Sequence, residues 1–133
     1  MAHILIIEDD SAVCDYLATL MDRLGHRATK AATFADGLEL MADPGINIII
    51  SDIFLPDSPP FHEWLTKLKS HAAGRPLILI TGEPSEEFAA KVRGEGITAF
   101  LTKPFELAFI KGLLARLAPP PPPRPQPPEP STP

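Results

Sequence analysis

Ile46-Asn47-Ile48-Ile49-Ile50-Ser51-Asp52 is the stretch on which the fold turns. The apolar run Ile46–Ser51 is what a strand buried on both faces requires, and an acid closes it. His3–Ile7, Leu77–Ile80 and Ile97–Leu101 repeat the pattern, and Arg27–Ala31 is a weaker version. Amphipathic segments alternate with these runs. Val13, Leu17, Leu20, Met21 and Leu24 stripe a helix stopped by Gly25, a C-terminal glycine cap. Thr33 caps a helix carrying Phe34, Leu38 and Met41, which ends at Pro44-Gly45. Phe61, Trp64, Leu65 and Leu68 share a third stripe, and Ser85 opens a fourth helix with Phe88, Ala89 and Val92. Leu107, Ile110, Leu114 and Leu117 stripe a fifth. Five strand–helix units in about 118 residues predict an α/β domain with an open, doubly wound, five-stranded parallel sheet and helices on both faces.

Composition narrows the class. The chain has 133 residues, 44% hydrophobic and 22% charged, the balance of one ordinary globular domain. A net charge of −5 argues against direct nucleic-acid or anionic-membrane binding by bulk electrostatics. One cysteine, Cys14, forms no internal disulfide, and no Cys/His cluster offers a zinc site. No apolar run approaches the roughly 18 residues that span a bilayer, and the amino terminus lacks a signal peptide's basic flank and cleavage site. A cytoplasmic location is expected. Ten of the seventeen prolines fall in Pro119–Pro133, which has no apolar side chain outside proline. The folded unit is therefore residues 1–118, and 119–133 is an extended proline-rich tail or truncated linker. Its Pro119–Arg124 stretch fits a PxxPxR ligand pattern, but any five-proline run before arginine does, so a spacer is the preferred reading.

Ligands of such sheets bind beyond the carboxyl ends of the strands. Those ends carry Glu8-Asp9-Asp10, Ser51-Asp52, Thr81-Gly82 and Thr102-Lys103-Pro104. Clustered carboxylates raise one another's pKa unless cations neutralise them, and Lys103 alone is outnumbered. Oxygen ligands without His or Cys favour Mg²⁺. With metal and Lys103 in place, a phosphoryl group becomes the natural guest. A flavodoxin-type phosphate cradle would want a Ser/Thr/Gly-rich loop after the first strand. A dinucleotide site would want GxGxxG after a strand. Neither is present.

Ile4–Ile7 with Glu8-Asp9, Asp52 followed by Pro56, Thr81-Gly82, and Phe100 ahead of Lys103-Pro104-Phe105 together resemble the receiver domain of bacterial two-component response regulators, over Met1 to Ala118. The resemblance implies the flavodoxin-like strand order 2-1-3-4-5. It implies Asp52 as phosphoacceptor, receiving the phosphoryl group from a sensor histidine kinase or a histidine phosphotransfer protein. Mg²⁺ would lie on Asp9 and Asp52, on Glu8 mainly through a water, and on the backbone carbonyl of Phe54. The Thr81 hydroxyl, the Gly82 N–H and the Lys103 ammonium would hold phosphoryl oxygens, with Lys103-Pro104 a cis peptide. Thr81 and Phe100 would be the switch. Their movement would change the face formed by the helix opening at Ser85, the fifth strand and the last helix, which would control a downstream partner or output domain, or a phosphorylation-dependent homodimer. Such a chain is not an enzyme in the ordinary sense, although it contributes to its own phosphotransfer and dephosphorylation.

The sequence departs from the family in places. Pro60 stands where a glycine is usual, and Ser58 with Pro59 suggests a capped, rigid helix start. Phe54 and Glu83 hold the variable positions beside the hydrolytic water, and Phe100 replaces a frequent tyrosine. Two other readings are a phosphorylation-independent binding module and a Mg²⁺-dependent phosphohydrolase. The first has no need of costly clustered acids. The second lacks an acid two residues after Asp52, with Asp57 a remote substitute. His3, His26, His62 and His71 show no paired spacing. Cys14 and Trp64 read as packed side chains, Phe109 as a partner-facing candidate, and Gly112 as a mid-helix glycine that is tolerated or admits a partner closely.

Overall fold

The computed structural model describes residues 2–53, 55–81, 90, 92, 94–102 and 107–117. Five strands, β1 (His3–Ile7), β2 (Arg27–Ala31), β3 (Ile48–Asp52), β4 (Leu77–Thr81) and β5 (Ala99–Thr102), form one parallel sheet in the order β2-β1-β3-β4-β5. The described helices are α1 (Ser11–Arg23), α2 (Phe34–Leu40), α3 (Phe61–Ala72) and α4 (Leu107–Leu117). Alternate strand residues feed two separate cores, as period-two side-chain geometry demands. Ile4, Ile6, Ile48, Ile50, Ile78 and Ile80 pack with Leu17, Met21, Ile110 and Leu114 of α1 and α4. Leu5, Ile7, Ile49, Leu77 and Leu79 pack with Phe34, Trp64, Leu65 and Leu68 of α2 and α3 on the other side. This is the doubly wound arrangement read from the apolar runs. The greater part of the segment opening at Ser85 lies outside the described residues, but Val92 is buried in the α2/α3 layer.

The element ends have local causes. Asp10 is the N-cap of α1, its carboxylate accepting from the N–H groups of Ala12 and Val13. Thr33 caps α2 by accepting from Asp36. Gly25 follows the end of α1 with φ of 85°, the left-handed position that favours glycine. The third strand begins at Ile48, two residues later than the apolar run. Asn47 explains this, because its side-chain oxygen accepts from the His3 N–H at 2.8 Å and its own N–H donates to the His3 carbonyl. The fifth strand likewise starts at Ala99, after Thr98 has exchanged hydrogen bonds with Leu77 through its N–H and hydroxyl.

The expected Ser58 cap is corrected by the structure. Helix α3 starts at Phe61 with Pro60 at the N-cap and no side-chain cap bond. The residue before a proline is pushed out of the helical region, so Pro59 cannot open a helix ahead of Pro60. The Trp64 N–H bonding the Pro60 carbonyl begins the ladder instead.

Cys14 and Trp64 are buried core residues, and burial raises the Cys14 thiol pKa, with Asp15 and Glu8 adding to the rise and Lys30 opposing it. Phe109 is exposed, and a Cβ at Gly112 would meet no atom within 4 Å. Gly37 of α2 is different. A Cβ there would lie 2.5 Å from Cδ1 and 2.8 Å from Cγ1 of Ile7, which is fully buried. Gly37→Ala gains about 1 kcal/mol of helix propensity but overpacks the core at a cost of about 1–3 kcal/mol. The clash wins, and we expect a net loss of up to about 2 kcal/mol in denaturant unfolding. A variant more stable than the parent would show that Ile7 yields freely.

A candidate phosphoryl-acceptor and metal site

The strand order brings the two acidic ends together. β1 and β3 are neighbours, with Ile7 opposite Ser51 in the register, so Glu8 and Asp9 leave one strand beside Asp52 at the end of the next. Carboxylate oxygens of Glu8, Asp9 and Asp52 all lie within 4.8 Å of one another. Glu8 is 1% and Asp52 7% exposed, whereas Asp9 opens to solvent. The acids therefore form a half-buried cup with one wet side. Two backbone bonds orient Glu8: its N–H donates to the Ala31 carbonyl at 3.0 Å, and Oε1 accepts from the Asp10 N–H at 3.2 Å. Asp10, the third acid of the run, belongs to the α1 cap rather than to this cluster.

Like charges so close, two of them shielded from water, call for a cation. Oxygens around a magnesium-sized ion sit about 2.1 Å from it and so up to about 4.2 Å apart across it. The cluster approaches that span with hard oxygen donors alone. It fits a small divalent cation better than a soft metal.

The other site residues are placed in part. Thr81 ends β4 and lies opposite Thr102, the last residue of β5, in the register. Phe100 of β5 is partly buried against the α2/α3 core. Phe54, Gly82, Glu83, Lys103, Pro104 and Phe105, the side chain of Thr81, and the 119–133 tail lie outside the described residues.

Beside Asp9 a cleft of about 440 Å³ is lined by Ile53, Leu55, Pro56, Ser58, Pro59, Phe61 and Trp64. Its wall is the loop that follows Asp52. Asp57 in that loop is the remote candidate for a general acid–base, but its two oxygens accept from the N–H groups of Phe34 (2.8 Å) and Ala35 (3.0 Å) at the start of α2. Slight burial raises the Asp57 pKa, but the backbone bonds from Ala35, Phe34 and Asp57 itself outweigh it and hold the carboxyl below its ordinary value. An acceptor committed in this way is a poor proton shuttle, and the hydrolase reading loses its substitute. No local pattern signals the contact, because its partners are 23 and 22 residues away in sequence.

Fold and acids together define a doubly wound α/β domain with a carboxylate cluster at the strand ends, the class to which phosphoacceptor switches belong. A family model described as the response regulator receiver domain matches residues 4–115, and the chain belongs to that family. The chain is 33% identical over 117 residues to the transcriptional regulatory protein YkoG of Bacillus subtilis, covering 86% of this chain and 49% of that protein. It thus spans about half the length of that relative. A solved CheY-like response regulator receiver domain protein from Methanospirillum hungatei superposes with a TM-score of 0.76 at 28% identity, covering 88% and 94% of the two chains. The receiver domain of the sensor histidine kinase PA1611 of Pseudomonas aeruginosa, solved with a magnesium ion coordinated in its active-site cleft, gives 0.75 at 20% identity, covering 87% and 96%.

Proposed function

We propose that this chain is a phosphoacceptor switch of two-component signalling, working in the cytoplasm, with Asp52 as the acceptor. The observation that carries the reading is the juxtaposition of the Glu8, Asp9 and Asp52 oxygens within 4.8 Å. The magnesium ion in the PA1611 receiver, a protein of the same fold, suggests Mg²⁺ as the cation. Glu8, Asp9, Asp52 and the Phe54 carbonyl would hold it, and when bound it would neutralise charge on the transferring phosphoryl oxygens. One Asp52 oxygen attacks the phosphorus of a phosphohistidine in line. The new O–P bond forms as the P–N bond breaks, and the departing imidazole nitrogen keeps the electron pair and takes up a proton. Thr81, the Gly82 N–H and Lys103 bind the phosphoryl oxygens in this reading. A histidine kinase or phosphotransfer protein supplies the group, and a partner protein, an output domain or a second copy reads the altered surface around Phe100. The chain would be a signalling substrate rather than an enzyme.

Intact mass after incubation with acetyl phosphate and Mg²⁺ tests this. One added phosphoryl is expected on the parent chain and none on Asp52→Asn or in chelator. An unchanged parent mass, together with no binding of a beryllofluoride mimic, would favour the phosphorylation-independent module instead.

A further inference from the structure

We propose that Asp57 is a positioning residue that sets the spacing of the acidic cluster, and with it the affinity for the divalent cation, by tying the Asp52 loop to the start of α2. The inference rests on the site reading above and deepens it. A closed circuit of contacts carries it. Glu8 is bonded through its N–H to the carbonyl of Ala31, the last residue of β2. Two residues later Thr33 caps α2, and Gly37 in α2 packs its backbone against Ile7, next to Glu8. The amino end of α2 is thus fixed relative to Glu8 and Asp9. Asp57 grips that same end through Phe34 and Ala35, five residues beyond Asp52 in a loop stiffened by Pro56, Pro59 and Pro60.

The circuit joins the two halves of the cluster by a second path, through β2 and α2, beside the direct pairing of β1 with β3. The strands fix where Asp52 and Glu8 begin, but the loop after Asp52 makes the wall of the cleft beside Asp9. Helix α2 has only seven residues, too few to be stable by propensity, so tertiary ties locate it. Cutting one such tie lets the loop and α2 part. Asp57 itself is not a member of the three-carboxylate cluster. Its effect is indirect.

The test is calorimetric titration of the full chain with Mg²⁺, paired with amide hydrogen exchange at Phe34 and Ala35 in metal-free protein. Outer partners of metal ligands typically change affinity by about 10–100-fold, and a solvent-exposed tie belongs at or below the low end. Asp57→Ala should therefore weaken Mg²⁺ binding by about three- to tenfold and speed exchange at both amides. Asp57→Asn, which keeps one acceptor oxygen at the same reach, should recover part of both effects. Asp36→Asn removes a neighbouring charge of α2 without touching the tie, and reports how much of any change is long-range attraction. An Asp57→Ala affinity equal to that of Asp36→Asn, with only the melting temperature lowered, would overturn the proposal and leave a merely structural contact. Absence of Mg²⁺ binding by the parent chain would instead overturn the site reading and take this inference with it.

Discussion

Arg75→Ala is expected to lower the free energy of unfolding by about 2–4 kcal/mol. Five backbone carbonyls converge on its guanidinium. Nε donates to Ala72 at 2.8 Å, Nη1 to Asp43 and Ile46 at 3.1 and 3.2 Å, and Nη2 to Met41 and His71 at 2.6 and 2.8 Å. Met41 is the C-cap of α2, while His71 and Ala72 close α3, so one cation answers the negative ends of two helices. Each charge-assisted bond is worth about 1.5–3 kcal/mol alone, but five on one half-exposed group do not add, and water replaces some of them. Lysine keeps the charge and loses the planar fork, so Arg75→Lys should restore less than half of the loss. Denaturant unfolding of the three proteins decides it. A loss under about 0.5 kcal/mol for alanine would mean that water satisfies the carbonyls as well as the guanidinium does. Because Arg75 lies two residues before β4, at the end of the sheet opposite the acids, Mg²⁺ affinity should not change.

The contrast between Arg75 and the acids bears on what a sequence displays. β1, β3 and β4 were legible because strands covered on both sides must be apolar at nearly every position, and their inner residues are almost wholly inaccessible to solvent. β2 was harder, since only Ala31 of its five residues is fully buried, and the expected span Arg27–Ala31 nonetheless holds. The acids were legible as chemistry, because Glu8, Asp9 and Asp52 each follow an apolar run. Their mutual approach was not. It depends on β1 lying beside β3, an adjacency that the receiver resemblance implied and spacing did not. Contacts between distant segments were invisible altogether. Arg75 reaches residues 29 to 34 positions back, and Asp57 reaches 23, with no local pattern to announce either. The misplaced start of α3 is a different failure, in which a cap signal at Ser58 was read without the constraint that Pro60 places on Pro59.

The second large effect sets stability against function at Asp52. Two unit charges within 4.8 Å of one another repel by at least about 3.5 kcal/mol at an effective dielectric constant of about 20. Asp9 is solvated and the surrounding charges offset part of this, so the net relief on removing one carboxylate is smaller. In chelator, Asp52→Asn should therefore be more stable than the parent by about 1–2 kcal/mol, a rise of several degrees in Tm. Mg²⁺ should reverse the order. A ligand at about a hundred times its Kd stabilises the state that binds it by about 2.7 kcal/mol, and the variant, short of one anionic ligand, gains much less. Thermal melts of both proteins, with and without Mg²⁺, give four numbers and one crossing. The crossing is diagnostic because simple damage at a buried strand end would lower the variant under both conditions. A variant that melts below the parent in chelator, or that gains as much as the parent from Mg²⁺, would show that repulsion among Glu8, Asp9 and Asp52 is not what the cation relieves. If the crossing appears, the instability of the metal-free cluster is the driving force for cation binding, and the site is held ready for an anionic guest at a standing cost to the fold.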